Sequence, residues 1–136
     1  MGFKFAVVED AGFVRSVLKS CFADFGGECI FETGSGVLTA EQNDQLDSLD
    51  VMVIDFVLPD RNGIELAGVV RERSPHTILV GCSSLDAEAI LAQAKAVGFF
   101  KVLAKPFAKT QIRDLLIELG LISQIHHKKD RGAGHV

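Results

Sequence analysis

Short apolar runs and stretches of helical period alternate along the chain. Phe3 to Val8 is a compact apolar run and predicts a first strand. Val14, Val17, Leu18, Cys21, Phe22 and Phe25 then recur at helical spacing, and Gly26-Gly27 stops that helix. Glu28 to Glu32 predicts a second strand, and Ser35 to Leu46 a helix with a thinner apolar stripe. Val51 to Asp55 is continuously apolar up to its last residue, the signature of a strand buried on both faces. Leu58-Pro59-Asp60-Arg61-Asn62-Gly63 closes it as a turn. A third helix is expected from Ile64 to about Arg73, a fourth strand from Ile78 to Cys82, and a helix stripe at Ala87, Ile90, Leu91, Ala94 and Val97. Phe99 to Ala104 makes a fifth strand, and Ile112, Leu115, Leu116 and Leu119 line a last helix.

Five strands alternating with five helices predict an α/β domain, a doubly wound (βα)5 parallel sheet in flavodoxin-like order 2-1-3-4-5. Such sheets put their chemistry outside the carboxyl ends of the strands, at a topological switch point. The polar residues at those ends therefore matter most. The first strand ends at Glu9-Asp10, the third at Asp55, the fourth at Ser83-Ser84 and the fifth at Lys105-Pro106. Three carboxylates, a hydroxyl and an ammonium are expected to converge on one edge.

Adjacent carboxylates repel, and ionising all of them requires a compensating cation. Mg²⁺ suits this donor set, because it takes oxygen ligands from one or two carboxylates and completes its shell with water or phosphate oxygens. Lys105 adds a compact positive charge and Ser83 a small hydroxyl donor. A carboxylate held between metal and lysine is a competent nucleophile toward phosphorus. Asp55, at the end of the most apolar strand, is the expected phosphoryl acceptor.

Composition narrows the rest. The 136 residues are 48% hydrophobic and 24% charged, an ordinary globular balance for one domain. Residues 1–120 are read as that domain and 121–136 as a short polar tail, too few for a DNA-binding or catalytic output unit. No apolar run is long enough to span a bilayer, and the first residues do not read as a signal peptide. The formal net charge is −4 and the single basic cluster, Lys128, Lys129 and Arg131, lies in the tail, so no direct nucleic-acid binding is expected. Cys21, Cys29 and Cys82 are odd in number and sit in apolar contexts. They read as buried free thiols in a reducing compartment, the cytoplasm. His126-His127 lacks a nearby third ligand, and Gly34-Ser35-Gly36 lacks the rest of a P-loop.

In order along the chain stand Val7-Val8-Glu9-Asp10 with Phe13-Val14-Arg15, then Val53 to Leu66 around Asp55 and Asn62-Gly63, then Ser83, then Lys105-Pro106-Phe107. Asp55 falls 45 residues after Asp10, Ser83 28 after Asp55, and Lys105 22 after Ser83. From Phe3 to about Leu119 the sequence resembles the receiver domains of two-component response regulators, single-domain chemotaxis-type regulators in particular. That resemblance implies a signalling acceptor rather than an enzyme, with at most slow loss of its own phosphate. Asp55 would take phosphate from a sensor histidine kinase or phosphotransfer protein. Asp10 and Asp55 would ligate Mg²⁺, Glu9 would hold a metal-bound water, and the Val57 carbonyl would add a ligand. Ser83 and Lys105 would grip the phosphoryl oxygens, and Lys105-Pro106 would be cis. A two-state shift would then reach a downstream protein through the last two strands and helices.

The chain departs from the family pattern at several positions. Val102 stands where the family carries an aromatic switch residue. Phe99 and Phe100 are read as a partner or dimer surface. Val57 and Leu85 replace residues that orient water for phosphate loss, so a long-lived phosphoryl group is expected. Ser84 follows Ser83 and competes with it as a helix cap. Three alternatives remain beside this reading. One is a receiver-fold interaction module with a weakened or phosphorylation-independent switch. Another is a haloacid-dehalogenase-type phosphatase, which wants an Asp where Val57 stands. The last is a flavin-binding protein, for which no phosphate loop follows the first strand.

Overall fold

The computed structural model describes residues 2–84 and 88–123. Strands β1 (Phe3–Val8), β2 (Gly27–Thr33), β3 (Val51–Asp55), β4 (Ile78–Ser83) and β5 (Phe99–Ala104) alternate with helices α1 (Gly12–Asp24), α2 (Ala40–Gln45), α3 (Gly63–Arg73), α4 (Glu88–Val97) and α5 (Lys109–Glu118). All strand pairs are parallel and the sheet runs β2-β1-β3-β4-β5. The order reverses between β1 and β3, which creates a crevice at their carboxyl ends.

Strand alternation divides the core into two layers. Ala6, Val8, Met52, Ile54 and Leu79 face α3 residues Leu66, Ala67 and Val70, with Leu46, Leu49, Ala94 and Phe99. Phe5, Val7, Val51, Val53, Val80 and Cys82 face Leu18 and Phe22 of α1 and Ile112, Leu115 and Leu116 of α5. All five β3 residues are buried, as the continuous apolar run requires. Leu121 and Ile122 still pack on the second layer, so the packed chain extends past residue 120.

Three expectations change. The second helix does not start at Ser35 but at Ala40, where Thr39 and Gln42 form a reciprocal capping box; a 3-10 turn (Leu46–Ser48) follows it. The residues before it are held elsewhere, by Asp60. Phe99 is buried rather than part of a surface: its ring meets Phe56 edge-on at 5.2 Å between centroids. A register shift passes from the Leu79–Phe99 pair to Val80–Lys101, leaving Phe100 outside the pairing and half exposed. Cys82 is buried, but Cys21 and Cys29 are only partly so, packed against the second layer rather than within it. Ala87, Leu85, His126, His127 and the basic tail cluster lie outside the described residues.

Candidate functional site

Strand β1 ends in the fully buried Val8, and the chain turns at once into α1. Glu9 sits in that turn, 1% exposed, with Oε2 accepting the Ala11 N–H at 3.1 Å. This bond serves the start of α1, whose N-cap Ala11 has no side-chain acceptor to offer. The Glu9 carbonyl accepts from Arg15 Nη1 at 2.6 Å, and Arg15 Nε in turn reaches Glu32 on β2 at 3.1 Å. Asp10, the next residue, is exposed.

Asp55 ends β3 and is 4% exposed. Its Oδ1 accepts the Val57 N–H at 3.1 Å, and its Oδ2 lies 3.0 Å from Lys105 Nζ. The turn behind it is pinned by two backbone bonds, Phe56 N–H to the Cys82 carbonyl and Gly63 N–H to the Phe56 carbonyl. Gly63 is obligatory here, because a Cβ would collide with the Asp55 carbonyl oxygen and the Ile54 side chain. Asn62 caps α3 by accepting the Glu65 N–H at 2.9 Å.

Lys105 follows β5, and its N–H donates to the Ser83 carbonyl at 2.9 Å. This bond seats the hydroxyl position and the lysine side by side. Ser83 is 2% exposed, and the Lys105-Pro106 bond is cis. The lysine ammonium lies between two carboxylates, 2.8 Å from Glu9 Oε1 and 3.0 Å from Asp55 Oδ2. Burial alone would lower the Lys105 pKa, but Glu9 and Asp55 together outweigh it and the net shift is upward. Burial raises the Glu9 carboxyl, Lys105 opposes that rise, and the Asp55 carboxyl adds to it.

Glu9, Asp10 and Asp55 each offer an oxygen within 4.8 Å of the others. Glu9 Oε1 is buried, and the Lys105 ammonium beside it at 2.8 Å is shared with Asp55 Oδ2. One ammonium between two buried carboxylates leaves negative charge uncompensated, which a further cation would relieve. Three hard oxygen donors, the buried Glu9 carboxylate among them, fit Mg²⁺.

The structure thus gathers Glu9, Asp10, Asp55, Ser83 and Lys105 at one sheet edge. The Val57 side chain is 57% exposed beside it. Val102 is half-buried and packs on the first core layer. What the sequence did not reveal is the aromatic next to the acceptor. Phe56 lies over Gly81, where a Cβ would come within 2.6 Å of its ring and 3.3 Å of Val102 Cγ2. A glycine inside a central strand was the available signal.

The fold is a doubly wound parallel sheet with paired acids just after β1, an acid ending β3 and a lysine just after β5, all at the switch point. The chain belongs to the response regulator receiver domain family, whose profile matches residues 5–117. It is 27% identical over 116 residues to the chemotaxis protein CheY of Thermotoga maritima, covering 85% of this chain and 96% of that protein. It is 32% identical over 111 residues to the Regulator of RpoS of Escherichia coli, covering 78% of this chain and 31% of that protein. In fold it matches a chain of the CheX-CheY-BeF3-Mg²⁺ complex from Borrelia burgdorferi, at a TM-score of 0.80 and 18% identity over 86% of this chain and 88% of that one. It also matches the BeF3-activated DrrB receiver domain, at a TM-score of 0.77 and 20% identity over 88% and 97%. It is a CheY-like receiver, and such domains work by phosphorylation-based signalling rather than as classical enzymes. Among the described residues no helix is long and apolar enough to cross a membrane.

Proposed function

We propose that this chain is a cytoplasmic phosphorylation switch in which Asp55 accepts a phosphoryl group from a sensor histidine kinase or a phosphotransfer protein. The observation that carries this reading is the contact of Lys105 Nζ with both Asp55 Oδ2 and Glu9 Oε1 beside Asp10. Transfer forms a bond between an Asp55 carboxylate oxygen and phosphorus while the donor's nitrogen–phosphorus bond breaks, and the departing imidazole nitrogen keeps the bonding pair and takes a proton from solvent. The Val57 N–H holds Oδ1, which fixes the carboxylate plane, and Lys105 exchanges its Asp55 contact for a phosphoryl oxygen. Ser83 donates its hydroxyl to another phosphoryl oxygen. Glu9, Asp10, Asp55 and the Val57 carbonyl would hold Mg²⁺, which when bound neutralises charge on the transferring group.

The domain proper is assigned to residues 1–120 and a short tail to 121–136, of which Leu121 and Ile122 pack back on the domain. Output to a protein partner, or to a second copy of the chain, is assigned to β4, β5, α4 and α5, with the half-exposed Phe100 as an apolar contact. An exposed valine at position 57 cannot orient water, so the phosphoryl group should be lost slowly. Val102 supports a second reading, an interaction module whose switch is weak or independent of phosphorylation.

Intact mass after incubation with acetyl phosphate and Mg²⁺ separates the two. One phosphoryl adduct, dependent on Mg²⁺ and absent in Asp55→Asn, supports the switch. A folded wild type without an adduct supports the interaction module.

A further inference from the structure

The Gly34-Ser35-Gly36 stretch is no phosphate loop, yet the fold gives it a place. It lies between the two loops that carry the carboxylates. On one side the Thr33 carbonyl accepts the Glu9 N–H at 2.9 Å. Gly34 comes so close to the β1–α1 turn that a Cβ there would sit 3.2 Å from Asp10 Cα and 3.3 Å from Arg15 Nη1. On the other side Asp60, in the β3–α3 loop, accepts from the Ser35 hydroxyl through Oδ2 and from the Gly36 N–H through Oδ1 at 2.7 Å. A Cβ at Gly36 would lie 3.0 Å from the Arg61 carbonyl oxygen and 3.1 Å from Leu58 Cδ1. Both oxygens of a surface carboxylate are thus committed to one short stretch of chain. The Ser35 hydroxyl and the Gly36 N–H also hold the Asp60 carboxyl below its ordinary range.

The paired β1–β3 ladder ends at Val8 and Ile54, so Asp10 and Val57 both lie past its last rung. Their separation depends on what braces the loops. We propose that Asp60, by gripping Ser35 and Gly36, is a positioning residue that fixes the spacing of Asp10 from Asp55 and Val57, and so sets the preference for Mg²⁺ over larger hard cations. This rests on the reading of the Glu9–Asp10–Asp55 cluster as a divalent-cation site. Mg²⁺ demands near-ideal octahedral geometry, whereas Ca²⁺ accepts longer and more variable ligand distances. A loosened brace therefore weakens Mg²⁺ binding and leaves Ca²⁺ binding nearly unchanged.

The experiment is calorimetric titration of the full chain with MgCl2 and, separately, CaCl2, for wild type, Asp60→Ala, Asp60→Asn and Ser35→Ala. Asp60→Ala should weaken Mg²⁺ on the order of ten-fold, the size of effect typical of groups behind metal ligands, and Ca²⁺ by about two-fold at most. Asp60→Asn keeps a carbonyl oxygen for the Gly36 N–H and should fall between Asp60→Ala and wild type, and Ser35→Ala should shift in the same direction by less. An Asp60→Ala protein whose Mg²⁺ to Ca²⁺ ratio equals that of wild type overturns the proposal, even if its metal-free melting temperature drops. Wild type that binds neither cation overturns the cluster reading beneath it. If Asp60→Ala does not fold, Ser35→Ala carries the same comparison.

Discussion

Glu9 and Lys105, from opposite ends of the domain, meet at 2.8 Å between Oε1 and Nζ, with the glutamate 1% exposed. The contact gives the lysine an anchor that does not depend on Asp55. Lys105 can therefore release Asp55 toward an incoming phosphoryl group while it keeps one ionic partner. Lys105→Met leaves two buried carboxylates facing each other without their cation. In EDTA it should cost about 2 kcal/mol in urea unfolding, the penalty for losing one partner of a buried charge-assisted contact. Added Mg²⁺ should recover part of this. Labelling by acetyl phosphate should slow roughly 100-fold, the usual consequence of removing one group that stabilises transition-state charge.

Glu9 also sets a pH dependence. Burial, assisted by Asp55, holds its carboxyl above the ordinary 4.5 despite Lys105. The folded chain binds that proton more tightly than the unfolded chain. Metal-free stability should then fall as pH rises from about 4.5 through the raised folded value. Glu9→Gln should flatten this limb of a melting-temperature profile taken in EDTA, and it should also remove most of the stabilisation that Mg²⁺ confers on wild type.

Gly63→Ala should couple stability to acceptor chemistry. The new methyl meets the Asp55 carbonyl oxygen and the Ile54 side chain, so the first turn of α3 must move away. We expect a loss of about 1–3 kcal/mol by denaturant titration, and slower acetyl phosphate labelling because Asp55 itself is displaced.

The Phe56 ring occupies the space that Gly81 leaves open and meets Phe99 edge-on. Gly81→Ala should cost about 1–3 kcal/mol through overpacking. Phe56→Leu should cost a comparable amount alone but less than additively in the double variant, with a coupling of about 1 kcal/mol. A strictly additive cycle would mean that the ring and the glycine do not share this space.

Val57→Asn places a water-orienting amide where an exposed valine now stands. The phosphoryl adduct on Asp55 should decay several-fold faster, followed by intact mass after acetyl phosphate is removed. An unchanged lifetime would leave the slow loss without its stated cause.

Much of this was legible because the period of the apolar pattern changes sharply between elements. The all-apolar Val51 to Ile54 run could only be a doubly covered strand, and its polar terminus named Asp55. Local pattern could not show where the second helix begins, because a carboxylate beyond it in sequence, Asp60, holds Ser35 and Gly36 out of the helix. Nor could it show that Phe99 turns inward, since that depends on a register shift against β4 and on the room beside Phe56. The Glu9–Lys105 pair is a product of sheet order. The sequence brought both residues to one edge, but gave Glu9 a role toward metal-bound water and Lys105 a role toward phosphate, not toward each other.

The same sheet order has a bearing on the protein's birth. The groups that meet at the lysine come from β1, β3 and the residue just past β5, near the start, the middle and the end of the folded unit. A nascent chain that has emerged only through β4 has its acids but no ammonium between them. The cluster is thus complete only once the last strand is paired, so its assembly reports on the finished fold as a whole.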